Sequence, residues 1–219
     1  MSILRLAFTW QNAAFFKQIN LQLFLVGSYF DAITIALLSM PLFLLVHPLR
    51  KQFNPRLKAI VTWLTKCYLV LIGLIILVLN TWDIAYFSYT QKRSGFSYFL
   101  HLLTGTETSS LAGEFLKEFW WLPLLFFGLA FVLWRALVRF GNNEPSKSSK
   151  RAWLQFILIL TLAIILGRGG VQLRPIGIVD ATAFSSLEQA PIVLNTAFTV
   201  LKTTAEGSAQ LLHFHDHNA

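Results

Sequence analysis

Apolar and polar residues in this chain are segregated into long blocks rather than alternating residue by residue. Four blocks are predominantly apolar, near residues 21–46, 59–79, 119–138 and 153–167. A helix needs roughly 20 apolar residues to cross about 30 Å of hydrocarbon, so each block predicts a transmembrane helix. The fourth is short, and Arg151 and Arg168 at its ends extend it by snorkelling their charged heads outward. Barrel strands would alternate apolar and polar residues, which these blocks do not. Lipid leaves helices as the only other way to satisfy the backbone. The prediction is an all-α fold, a polytopic membrane helix bundle of about four transmembrane helices plus interfacial helices.

The polar stretches between the blocks set the domain plan. Residues 1–20 lack a long apolar run and contain Arg5, Gln11, Asn12 and Lys17. They predict an N-terminal interfacial arm, not a signal peptide of the usual form. Residues 96–117 predict an interfacial helix, a turn at Thr104–Gly105–Thr106, and a helix capped by Ser110 that leads through Glu114 into the third span. Residues 142–150 (NNEPSKSSK) predict a polar loop. Gly167–Arg168–Gly169–Gly170 lacks the lysine and hydroxyl of a phosphate loop and follows no strand. It predicts a sharp turn as the chain leaves the bilayer, with 168–219 as a terminal extramembrane segment.

Composition changes the picture mainly through charge. The chain is 55% hydrophobic and 13% charged, where a soluble domain carries about 25% charged residues. The net charge of +8 is unevenly placed. The first link holds Arg50, Lys51, Arg56 and Lys58, and the third holds Arg135, Arg139, Lys147, Lys150 and Arg151. The longer second link offers only Lys92, Arg93 and Lys117. The first and third links therefore face the cytoplasm, and the N-terminal arm, second link and C-terminal segment face outward. An outward N-terminus without a signal points to a preceding span that this sequence lacks. The positive charge belongs to membrane topology and not to nucleic-acid binding. Cys67 is the only cysteine, which excludes an intramolecular disulfide.

Intramembrane and near-membrane charges are the candidate functional residues. Asp31 lies within the first span, where a carboxylate is costly and marks either a site or a structural ion pair. Asp83 follows the second span, and Arg93 lies about three helical turns further on if the helix continues. Arg168, Arg174 and Asp180 follow the fourth span. All six belong to the outer face, as a lipid head-group site with Arg on phosphate or as a salt-bridge network. His213, His215, Asp216 and His217 have the chemistry of metal ligands, and the first and last His are spaced i, i+4. With no further ligand group in the chain, the tail predicts an exposed terminus rather than a metal site. No HExxH, CxxC or nucleophile elbow is present, so the residues give no case for an active site.

The order of local patterns resembles a known family. Gly27–Ser28–Tyr29–Phe30–Asp31 opens a span that ends Pro41–Leu42–Phe43–Leu44–Leu45. Asp83–Ile84–Ala85–Tyr86–Phe87 and Gln91–Lys92–Arg93 follow. Then come Arg168–Gly169–Gly170–Val171–Gln172–Leu173–Arg174–Pro175, Asp180–Ala181 and Leu194–Asn195–Thr196–Ala197–Phe198–Thr199. Across residues 27–202 this is similar to the membrane domain of the lipoteichoic acid synthase and phosphoglycerol transferase family. The resemblance implies an anchor in the bacterial cytoplasmic (inner) membrane, with an extracytoplasmic C-terminus. It implies a sulfatase-like domain of the alkaline phosphatase superfamily as partner, with a divalent metal and a Thr nucleophile, and membrane phospholipid as head-group donor. This chain departs from the pattern in showing four spans where the family has five, and in lacking the sulfatase-like domain with its metal ligands. It is therefore expected to carry no cofactor and to perform no transfer alone. A stand-alone membrane protein that binds lipid or a partner, or a small transporter, is the alternative.

Overall fold

The computed structural model describes residues 1–16, 18–45, 54–97, 117–140, 150–172 and 174–205. In chain order the helices are α1 (Ser2–Gln11), α2 (Leu21–Leu45), α3 (Pro55–Thr90), α4 (Trp121–Phe140), α5 (Lys150–Arg168), α6 (Ala190–Val193) and α7 over 196–205. Short 3-10 turns occupy Ala13–Phe15 and Val179–Ala183. Among the described residues there is no strand. The turn at 104–106, the Ser110 cap, the 142–150 loop and the histidines of the tail lie outside the described residues.

Three helices are long and apolar enough to cross a membrane: Leu21–Phe43, Pro55–Thr90 and Trp121–Arg139. The fourth expected span corresponds to a shorter apolar helix, Trp153–Arg168. Its Leu154, Ile157, Leu158 and Leu162 are exposed, as suits a surface bathed in hydrocarbon. Helix α3 runs eleven residues past its expected end at 79. At 1.5 Å per residue its 36 residues reach about 54 Å, well beyond the hydrocarbon thickness.

The chain divides into two compact units. The first comprises Met1–Asp31, Val78–Leu125 and Ile176–Ala219. Here α1 buries Leu4, Arg5, Phe8 and Thr9, two i, i+4 pairs on one face. Phe8, Phe16 and Phe87 form an aromatic cluster with centroids 4.9–6.0 Å apart. Asn12 ties α1 to α3, donating to Ile84 O at 3.0 Å and accepting from Ser88 Oγ at 2.8 Å. Phe30 and Phe198 meet edge to face at 5.2 Å, both fully buried.

The second unit comprises Ala32–Leu77 and Phe126–Pro175. Its helices meet through glycines. A Cβ at Gly73 would collide with Leu133 of α4, and one at Gly167 would press on Leu37 and Met40 of α2. Such close approach is the usual way helices pack in lipid. Tyr68 Oη donates to Leu38 O at 2.8 Å. Helix α5 ends in the expected sharp turn: Gly169 and Gly170 have φ of 79° and 115°. Gly170 N bonds Ile165 O and Gly169 N bonds Leu166 O, a Schellman cap that only glycine enters without strain.

Candidate functional site

The first unit holds two buried ion pairs. They exist because four chain segments, distant in sequence, each deliver one charged or polar side chain. From α1 comes Arg5, on the buried face between Leu4 and Phe8. From α2 comes Asp31, four residues after Gly27 and so on the same helix face. Arg5 Nη1 and Nη2 donate to the two Asp31 oxygens at 2.8 and 2.7 Å, a parallel two-bond pairing, with side chains 3% and 7% exposed.

The second pair joins Asp83 of α3 to Arg93, at 2.7 Å with exposures of 0% and 6%. A continuing helix would place Arg93 about three turns beyond Asp83. Instead α3 stops at Thr90, and Gln91 takes a left-handed φ of 54° while its N–H still bonds Phe87 O. That conformation is costly for a residue with a Cβ, and it folds the chain back on itself. The return delivers Arg93 to Asp83 Oδ2 and Ser94 to Asp83 Oδ1, the latter through N–H at 2.9 Å and Oγ–H at 2.6 Å. Arg93 also lies 3.6 Å over the Phe8 ring. Burial pulls the Arg93 guanidinium below its ordinary value, and the adjacent Asp83 carboxylate pulls it back up.

Both arginines then grip the same short helix. The last carbonyls of a helix lack intrahelical donors and carry partial negative charge. After α6 the chain turns extended at Leu194, leaving those carbonyls open. Arg93 Nε donates to Pro191 O at 2.9 Å, Arg5 Nε to Ile192 O at 2.9 Å, and Arg5 Nη2 to Val193 O at 3.3 Å and Gly27 O at 2.7 Å. Asn195 and Thr196 complete the set. Asn195 Oδ1 caps α7 by accepting from Phe198 N at 2.8 Å, and its Nδ2 donates to Asp31 at 2.9 Å. Thr196 Oγ donates to Asp83 Oδ2 at 3.0 Å, and Thr196 N donates to Asn80 at 3.2 Å.

Of the six charges singled out in the sequence, Asp31, Asp83 and Arg93 are brought together in this network. Asp180 accepts from Gly177 N at 2.6 Å within its own turn. Arg168 and Arg174 belong to the other unit and are exposed; Arg168 donates to Gln172 O at 3.3 Å across the α5 cap. Sequence reasoning missed Arg5, which bonds both Asp31 oxygens and three backbone carbonyls. The available signal was a single cation in a helix that otherwise carries no charge. It also missed the purpose of Gly27: a Cβ there would collide with the Arg5 guanidinium.

The centre of the network offers little room. A polar cavity of about 10 Å³ is lined by Arg5, Asp31, Asn80, Arg93 and Asn195. That is the space of roughly one water molecule. The arginine donors point at carboxylates and carbonyls of the chain itself. Chemically the arrangement can clamp, and this central cavity is too small for a phosphate head group. Among the described residues no group of three or more His, Cys, Asp or Glu is placed to hold a metal ion.

Fold and site together define a helical membrane protein whose terminal helices are fastened by buried, charge-balanced ion pairs. Comparison with family models, curated proteins and solved structures yields no match to this chain.

Proposed function

We propose that this chain is the membrane-anchoring domain of a sulfatase-like phosphoglycerol or phospho-head-group transferase acting on phospholipid outside the bacterial cytoplasmic membrane. It anchors and orients, and the transfer, with its divalent metal and Thr nucleophile, belongs to a catalytic sulfatase-like domain. One observation carries this reading. Four of the segments on which the family resemblance rests, 27–31, 83–87, 91–93 and 194–199, bring polar side chains together in the double ion pair. The clamp reaches the segment 194–202, which in the family leads into the catalytic domain. Between a head-group site and a structural network, the cavity of about 10 Å³ favours the network. With four crossings, the Lys/Arg distribution supports an orientation with the first and third links inside and residues 168–219 outside.

The test is head-group transfer in the organism's own membranes. Phospholipid labelled in its glycerol-phosphate head group is followed with the gene intact, deleted and restored. The proposal expects transfer to an acceptor outside the membrane to fall on deletion and return on restoration. Transfer that is indifferent to deletion would overturn it and leave a stand-alone membrane protein that binds lipid or a partner.

A further inference from the structure

The second unit carries a groove that the ion-pair network does not use. Helices α3 and α4 touch at Gly73 against Leu133. Toward the N-terminal end of α3 the two helices leave a cavity of about 590 Å³. That lies within the roughly 300–1,000 Å³ of ordinary ligand sites. Along α3 the groove presents Trp63, Lys66, Cys67, Leu71 and Leu74, a stripe at i, i+3, i+4 spacing. Trp134 stands on the α4 side. The α3 side of the lining is graded: Trp63 and Lys66 at one end, Leu71 and Leu74 at the other.

That grading has a physical meaning in a bilayer. Tryptophan settles at head-group depth, because its ring is apolar and its N–H is not. Lysine at that depth offers an ammonium to lipid phosphate, while Leu71 and Leu74, one to two turns deeper, meet hydrocarbon. We infer that this groove binds one anionic phospholipid, with phosphate on Lys66 and an acyl chain laid along Leu71 and Leu74. Charge selects the lipid: Lys66 is the cation lining the groove, and an anionic head group brings no competing cation of its own. The inference needs only that α3 and α4 lie in a membrane and does not depend on the transferase proposal.

Cys67, exposed in the groove and unique in the chain, reports occupancy without any substitution. The full chain in dodecylmaltoside is alkylated with N-ethylmaleimide, with phosphatidylglycerol, phosphatidylcholine or inorganic phosphate added. Phosphatidylglycerol at about ten times its Kd should slow the reaction by about tenfold, since only the lipid-free fraction reacts. Phosphatidylcholine at the same mole fraction and inorganic phosphate should leave the rate unchanged. Lys66→Gln should abolish the protection while the melting temperature stays the same. Equal protection by phosphatidylcholine would overturn the charge selection. Protection by phosphate alone would overturn the acyl-chain part, and no protection by phosphatidylglycerol would overturn the whole. If Lys66→Gln does not fold, the comparison of lipids on the unaltered chain decides.

Discussion

Arg5 and Asp31 are 26 residues apart in sequence, yet their side chains meet through two parallel hydrogen bonds of 2.8 and 2.7 Å, both almost completely buried. Removing two charges from water costs several kcal/mol per ion, so such a pair survives only if the remaining hydrogen-bonding capacity is also met. Here it is. Arg5 also donates to the Gly27, Ile192 and Val193 carbonyls, and Asp31 takes a further bond from Asn195. The consequence is a joint between α1, α2 and the 190–196 segment that depends on every partner being present.

Gly27→Ala tests the closeness of that joint. Helix propensity alone favours alanine over glycine by roughly 0.5–1 kcal/mol. Because the new Cβ would meet the Arg5 guanidinium, the substitution is expected to destabilise instead, by about 1–3 kcal/mol. In an Arg5→Met background that penalty should shrink or reverse. Thermal unfolding of the four proteins in detergent provides the comparison, and stabilisation by Gly27→Ala alone would show that Arg5 lies elsewhere.

Asn195 has two tasks that substitutions can separate. Its oxygen caps α7 and its amide nitrogen donates to Asp31. Asn195→Ala should cost about 1–2 kcal/mol through the lost cap, with more from Asp31. Aspartate caps as well as asparagine but would set a second carboxylate against Asp31. Asn195→Asp is therefore expected to be less stable than Asn195→Ala in the same unfolding measurement. An Asn195→Asp protein as stable as the original would mean that only the cap matters.

Topology is open to labelling. In a Cys67→Ser background, single cysteines at positions 146 and 186 are treated with a membrane-impermeant maleimide in intact cells. The Lys/Arg distribution predicts that position 186 reacts and position 146 does so only after the cells are broken. The reverse pattern would invert the orientation and remove the basis for an extracytoplasmic partner domain.

The helices were legible because long apolar blocks are the strongest signal a sequence carries. The end of α3 was not. Asn80, Thr81 and Asp83 look like the polar edge of a span, but in the structure they are buried: Asn80 accepts from Thr196 and Asp83 is paired, so the helix continues through them. Asp31 and Asp83 could be flagged because a carboxylate beside lipid demands a partner. Their partners could not be named. Arg93 reaches Asp83 only because Gln91 breaks the helix with an unfavourable φ, and nothing local to Gln91 announces it. Arg5 depends on carbonyls 187 and 188 residues away, which no local pattern can reveal.

The central claim is that Arg5 and Asp31 act as one buried unit, and a double-mutant cycle tests it most directly. Arg5→Met and Asp31→Leu are made singly and together in the full chain, and unfolding free energies are measured in detergent. Each single substitution strands a buried charge and should cost about 3–5 kcal/mol. The double substitution should cost clearly less than the sum, with a coupling of about 2–3 kcal/mol. Losses that simply add would contradict the claim, since they would place Arg5 and Asp31 in separate environments.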